Sequence, residues 1–239
     1  MYAVKPEMGT VPVAGIQKMT TIDFPGHLAA VFFVSGCPWQ CRYCHNATLR
    51  DMNAPSAVTR AVCEDFLDRR KDFLEGIVVS GGEPTAWPAL PELLKWIRSF
   101  GYKTALHTNG YYPEALKAIV QEGLVDYIGM DVKGPPKAYD RITGMENSCT
   151  PVAKSIDVVI GSGVEYEFRT TYHPSILSEP ELMETMRAVA RRSSNRYFIQ
   201  LFRKDGVIDP ELSECDDIVA VPASLIMLGK KLFKEFGVR

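Results

Sequence analysis

The chain contains no apolar stretch long enough to cross a membrane. Its longest run, Leu28 to Val34, has seven residues, against the roughly 20 that a spanning helix needs. It has no basic excess either: Lys and Arg number 27, Asp and Glu 29, and the net charge of −2 with a pI of about 6.1 does not advertise nucleic acid. Met1 to Gly15 lacks an apolar segment behind a basic start and carries Glu7 and two prolines, so no secretory signal is read there. The expected compartment is therefore the reducing cytoplasm, where clustered cysteines serve metal or redox chemistry rather than disulfides. No Ser/Gly linker or composition shift divides the 239 residues, of which 46% are hydrophobic and 23% charged. That predicts one domain over 1–239, with a core at about 29–203, an N-terminal extension 1–28 and a tail 204–239.

Cysteine is scarce, yet three of the six lie within Gly36 to Asn46, GCPWQCRYCHN, and no second pair matches them. Cys63, Cys149 and Cys215 are scattered; Cys63 falls in a helical pattern and reads as core. Three metal chemistries fit the cluster. Cys41-Arg42-Tyr43-Cys44-His45 has the spacing of a covalent haem site, but no export signal accompanies it and Cys37 would be left without a role. Cys37, Cys41, Cys44 and His45 offer four ligands to zinc, although structural zinc sites usually draw paired ligands from two loops. The three thiolates alone suit three irons of an iron–sulfur cluster and leave a fourth iron open.

Short apolar runs alternate with helical patterns along the chain. Strands are predicted at Ala29–Ser35, Gly76–Ser80, Lys103–His107, Tyr127–Val132, Tyr166–Thr171 and Tyr197–Phe202. Helices are predicted at Val58–Leu74 (with Val62, Phe66, Leu67 and Phe73 in helical phase), Pro88–Phe100 (Leu90, Leu93, Leu94 and Ile97 inward), Pro113–Glu122, Val152–Gly161 and Glu179–Arg192. Before them a strand or hairpin extension turns at Asp23-Phe24-Pro25-Gly26; after them a strand at Ile218–Val221 and a helix at Ala223–Phe236 are expected. About six βα units imply a parallel sheet with crossover helices.

The unusual residues gather at strand ends. The first predicted strand enters the cysteine loop, the second ends in Gly81-Gly82-Glu83-Pro84, the third in His107-Thr108-Asn109-Gly110, and the fourth in Asp131-Val132-Lys133. The fifth carries Arg169; the sixth carries Gln200 and ends at Arg203. In a parallel barrel these C-terminal ends share the face where active sites are built. Each motif also has a plainer reading. Gly81-Gly82 suits a tight βα turn as well as a ligand's close approach; Asp131 and Lys133 can simply pair. His107 reads as a hydrogen-bonded packing residue, and His27 and His173 as surface or turn residues.

The order C-x-x-x-C-x-aromatic-C with GGEP on the next strand resembles the radical S-adenosylmethionine (SAM) enzymes, over about Gly15 to Arg203. The segment Gly15 to Leu49, GIQKMTTIDFPGHLAAVFFVSGCPWQCRYCHNATL, is similar, more narrowly, to the activating proteins of anaerobic ribonucleoside-triphosphate reductase, relatives of the pyruvate formate-lyase activating enzymes. The resemblance implies a partial (β/α)6 TIM-like barrel of the radical SAM type with a short N-terminal β extension. It implies a [4Fe-4S] cluster on Cys37, Cys41 and Cys44, with SAM on the fourth iron. Tyr43, Cys44 and His45, Gly81, Gly82, Glu83 and Pro84, Thr108 and Asn109, Asp131 and Lys133, and Arg169, Gln200 and Arg203 would then surround SAM. The implied partners are a glycyl-radical enzyme and a flavodoxin- or ferredoxin-type electron donor. The sequence departs from the pattern in one respect: no histidine follows the sixth strand, where Leu201-Phe202-Arg203 stands. Two alternatives remain at this stage, a radical SAM enzyme acting on a small purine-like precursor and a non-catalytic zinc or iron–sulfur protein.

Overall fold

The computed structural model describes residues 11–217 and 220–239. Residues 1–10 of the expected extension, and Ile218 and Val219 of the strand expected at Ile218–Val221, lie outside them.

One sheet runs in the order β1 to β8. β1 (Val13–Thr20) pairs antiparallel with β2 (Ala29–Val34); β3 (Gly76–Gly81) and β4 (Lys103–Thr108) follow in parallel. β5 is Tyr127–Asp131, and β6 (Glu165–Tyr172), β7 (Arg196–Leu201) and β8 (Glu235–Val238) are parallel to one another. The helices are α1 (Arg60–Arg70), α2 (Leu90–Arg98), α3 (Pro113–Gln121), α4 (Tyr139–Thr143), α5 (Cys149–Gly161), α6 (Glu179–Ala190), α7 (Pro210–Ser213) and α8 (Ala223–Leu232). This open, mostly parallel α/β sheet with an antiparallel first strand is consistent with the partial barrel that the resemblance implied. Among the described residues no helix is long and apolar enough to cross a membrane.

By its internal contacts the chain forms two compact units. The first comprises residues up to Pro38, Leu49–Thr108 and Tyr112–Gly129. Its strands bury Ala29, Val31, Val78, Ala105 and Tyr127 in one cluster with Phe24. The ladder sets Val31 beside Val78 and Val78 beside Ala105, so these side chains share a face. Phe24, in the turn after β1, covers them: its ring lies 5.8 Å from that of Tyr127, and a Cβ on Gly76 would collide with it. The His107 ring nitrogen Nε2 meets the Asp23 carbonyl oxygen at 3.0 Å, which fixes the same turn. The outer layer follows from helical periodicity. Leu90, Leu93, Leu94, Trp96 and Ile97 of α2 are all fully buried. On α1 the inward residues are Cys63 and Leu67, whereas Val62 and Phe73 are more than half exposed. The expected apolar face is thus rotated by about one residue.

The second unit comprises Trp39–Thr48, Asn109–Tyr111 and everything from Met130 onward. Helix α6 starts with a capping box, Ser178 with Glu181. The tail differs from expectation. α8 stops at Leu232, and Glu235–Val238 forms strand β8 beside β7 instead of continuing the helix. Phe236 turns back onto Gly229, where any Cβ would strike its ring, and Phe233 stacks on Tyr197 at 4.6 Å. These aromatic contacts outweigh continued helix formation, because a longer α8 would leave both rings exposed and the β7 edge unpaired.

Candidate active site

In the first unit the approach to Cys37 is built from backbone. Gly36 donates to the Leu49 carbonyl (2.7 Å) and Cys37 to the Arg50 carbonyl (3.1 Å). On the neighbouring strand end, the Gly82 N–H donates to Val34 O and the Glu83 N–H to Gly36 O, each at 2.7 Å. The strand ends meet so closely that a Cβ on Gly82 would lie 2.2 Å from Gly36 O, and one on Gly81 2.5 Å from Val34 O. Gly81 also has φ +112°. Protein backbone alone therefore explains the glycine pair. Glu83 is fully buried; its Oε1 accepts from the Thr85 N–H (3.0 Å) and the Thr108 hydroxyl (2.7 Å). Thr108 is thus tied to the GGEP turn, and Pro84 opens the single helical turn that follows it.

In the second unit Cys41 and Tyr43 are buried, while Cys44 is half-buried. Burial pushes the Cys41 thiol up to about 11, although nearby Lys133 opposes the shift. Lys133 Nζ meets Asp131 Oδ2 at 3.1 Å and stands 5.5 Å from the centre of the Tyr43 ring. Burial alone would depress the Lys133 ammonium, but the Asp131 carboxylate outweighs it and holds the group charged well above its ordinary range. Asp131 Oδ1 accepts from Arg169 Nε at 2.9 Å. The Lys133 N–H donates to the Tyr139 hydroxyl at 3.1 Å. Gln200 lies on β7 beside Thr171 of β6, on the sheet face that Arg169 shares. Asn109 accepts the Tyr111 N–H on its side-chain oxygen (2.9 Å).

His45 does not point to a shared metal. Its ring lies 5.9 Å from Phe202 and bonds the Arg203 backbone; burial lowers its basicity, with Lys133 adding to the effect. Arg203 itself is exposed and meets the cysteine loop through its backbone. His173, expected in a surface or turn position, opens the turn after β6 but is buried, with its ring 4.8 Å from that of Phe202. So two histidines, both from other segments, flank the position where the sixth strand lacks one.

Among the described residues, no three His, Cys, Asp or Glu side chains converge on a point that would hold a single ion. A tetrahedral zinc site needs that convergence. A four-iron cluster does not, because its irons are spread over a cube and each thiolate takes a different one. The donor set suits the cluster: three thiols within eight residues of sequence, outside any disulfide, one of them buried beside a charged lysine. Tyr43 Oη and Trp39 Nε1 are buried in the same loop with no protein partner. Sequence reasoning missed Tyr139, Thr85, Trp39 and the ion pair between buried Glu167 and half-buried Arg239. The alternation of charge in Glu165-Tyr166-Glu167-Phe168-Arg169 was the available signal for Glu167.

The Radical SAM superfamily model matches residues 31–191. A candidate glycyl-radical enzyme activating enzyme of Methanocaldococcus jannaschii is 30% identical over 209 residues, 84% of each chain. The pyruvate formate-lyase-activating enzyme of Streptococcus mutans is 30% identical over 149 residues, 56% of each chain. Among solved structures, a radical SAM methyltransferase from Sphaerobacter thermophilus superposes with a TM-score of 0.66 at 13% identity, over 92% of this chain and 68% of that one. At that identity the likeness concerns the fold.

Proposed function

This chain belongs to the radical SAM superfamily, and on that premise we propose that it is an activating enzyme, one that places a glycyl radical on a partner protein. The observation that carries the reading is the Cys37, Cys41, Cys44 loop followed by His45-Asn46, within a chain similar to a candidate activating enzyme over 84% of both lengths. The partner is a glycyl-radical enzyme, specifically an anaerobic ribonucleoside-triphosphate reductase, as the segment before the cysteine loop suggests. The whole chain acts as one domain in the cytoplasm, and a flavodoxin- or ferredoxin-type protein supplies the electron.

The chain uses a [4Fe-4S] cluster and SAM, the cofactors of its family. Cys37, Cys41 and Cys44 would hold three irons, leaving the fourth for the amino and carboxylate groups of SAM. When bound, the pair supplies one-electron cleavage of a carbon–sulfur bond and, through it, abstraction of a hydrogen atom. The protein's part is binding and orientation. Asp131 and Lys133 present a fixed pair of opposite charges to a ligand that carries an amine, a carboxylate and a ribose. Backbone groups of Gly81, Gly82, Glu83 and Pro84 bind the amine, and the buried Thr85–Glu83–Thr108 hydrogen bonds hold that turn rigid. The Tyr43 ring, with Cys44 and His45, lies against the adenine. Thr108, Asn109, Arg169, Gln200 and Arg203 are the further SAM-binding residues of this reading. A partner loop, with its own protein surface, closes the site in place of a dedicated small-molecule pocket.

The test mixes reduced, cluster-loaded protein and SAM with the candidate reductase and records its electron paramagnetic resonance spectrum. A doublet that disappears when the partner's glycine is changed to alanine supports the reading. SAM cleavage with no partner radical, accompanied by turnover of a small metabolite, would transfer the protein to the small-molecule branch of its superfamily.

A further inference from the structure

A chain of charged side chains, buried at its centre, leads from Asp131 to the residue after the last strand. Arg169 Nε donates to Asp131, and Arg169 Nη1 stands 3.8 Å from Glu167 Oε1. The same Oε1 accepts from the guanidinium of Arg239, which also covers the Phe198 ring at 4.4 Å. Glu167 and Arg169 are only 2% and 5% exposed. β8 fixes the far end, with the Arg239 N–H donating to Ile199 O (3.0 Å) and the Leu201 N–H to Arg239 O (2.7 Å). The ladder places Arg169, Phe198 and Gly237 in one rung; a Cβ on Gly237 would lie 2.9 Å from the Phe198 ring.

We propose that Glu167 and Arg239 are positioning residues that reserve Arg169 for Asp131. This rests on the reading that Asp131 and Lys133 bind SAM. Arg169 lies between two carboxylates and is within hydrogen-bond distance of Asp131 but not of Glu167. Arg239 decides that outcome by occupying Glu167 Oε1, while Glu167 Oε2 has no protein donor. Without Arg239, Glu167 is a buried carboxylate whose nearest cation is Arg169, and an uncompensated buried charge is strongly unfavourable. The carboxylate then turns to Arg169 and draws it off Asp131. Asp131 keeps Lys133 but loses the two-sided grip that fixes its rotamer. Glu167 and Arg239 reach the ligand only through that grip.

The test is calorimetric titration of SAM into anaerobic, cluster-loaded protein carrying Arg239→Met, Glu167→Gln or Asp131→Asn, and the doubles with Asp131→Asn. Coupled neighbours are non-additive, so Arg239→Met weakens SAM binding by about tenfold, yet adds less than about twofold to Asp131→Asn. Arg239→Lys restores most of the affinity. Arg196→Met, which removes an arginine held by Glu165 and Glu235 outside this chain of charges, lowers the melting temperature and leaves SAM affinity unchanged. If Arg239→Met does not fold, Arg239→Gln carries the same test. Glu167→Gln removes the competing carboxylate, so alone it leaves SAM affinity unchanged, and combined with Arg239→Met it restores the affinity. Loss of stability with unchanged SAM affinity in the Arg239 variants, losses that multiply in their doubles with Asp131→Asn, or no rescue by Glu167→Gln overturns the proposal while the site stands. Unchanged affinity in Asp131→Asn overturns both the site assignment and the proposal.

Discussion

Replacing Gly82 by alanine tests how the strand ends carry the cysteine loop. The new methyl carbon would lie 2.2 Å from Gly36 O, where ordinary contact begins at 3.4 Å, so the two backbones must part by about 1 Å. Neither side yields easily. Gly36 O accepts the Glu83 N–H, the Gly36 N–H is bound to Leu49 O, and the Gly82 N–H to Val34 O. Overpacking of this kind costs about 1–3 kcal/mol, and each loosened hydrogen bond about 0.5–1.5 kcal/mol. The sum, about 2–5 kcal/mol, is a large part of a typical folding stability of about 5–15 kcal/mol. At about 2–4 °C per kcal/mol for a chain of this length, melting should fall by about 4–20 °C. Because Cys37 directly follows Gly36, the iron content after reconstitution should fall as well. Gly15→Ala is the control: nothing lies within 4 Å of its Cβ position, and its effect should stay within about 0.5 kcal/mol. Thermal melts and iron analysis of both variants decide the matter. A Gly82→Ala protein that melts within about 2 °C of the parent and takes up its full iron would refute the close-approach reasoning.

Changing Cys37, Cys41 or Cys44 to Ala should abolish the cluster seen by absorption and iron analysis, while Cys63→Ala, in the core of α1, should retain it; equal loss in Cys63→Ala would break the ligand assignment. Lys133→Ala should weaken SAM binding about 10- to 100-fold, since a charge-assisted hydrogen bond contributes about 1.5–3 kcal/mol, with cluster content intact. Burial lowers the basicity of His173, so the unfolded chain binds the extra proton first. The stability from its neutral ring is complete above about pH 6.5 and drains away as pH falls below that value. His173→Asn, whose oxygen can still accept the Ser175 N–H that Nδ1 accepts at 3.2 Å, should flatten the melting temperature between pH 7 and pH 5 relative to the parent, with about pH 6.5 as the point of divergence.

Local pattern revealed most of the strands and helices because each buries its own apolar stripe. Ala29–Val34 and Leu90–Arg98 needed nothing beyond periodicity. The unusual residues at strand ends were legible because the strands themselves were: Gly81 closes β3, Thr108 closes β4 and Asp131 closes β5. Other features depended on partners distant in sequence. Phe24 reads as a turn residue, yet it caps the strands' apolar face. Ala223 to Phe236 keeps a helical phase, and only the vacant β7 edge and the Phe236–Gly229 contact end the helix early. Arg239 and Glu167 are 72 positions apart, and only the β6–β7–β8 order with the reach of the arginine side chain across Phe198 brings them together. His173 reads as a surface or turn residue, and nothing near it in sequence shows that it will pack against Phe202.

The most direct test of the central claim follows a single hydrogen. The candidate reductase is prepared with deuterium at the α-carbon of glycine and incubated anaerobically with the reduced, cluster-loaded protein and SAM. Mass spectrometry then reads the 5′-deoxyadenosine. The account predicts deuterium in that product, in proportion to the glycyl radical formed on the reductase. Unlabelled 5′-deoxyadenosine, produced at the same rate whether or not the reductase is present, would contradict it.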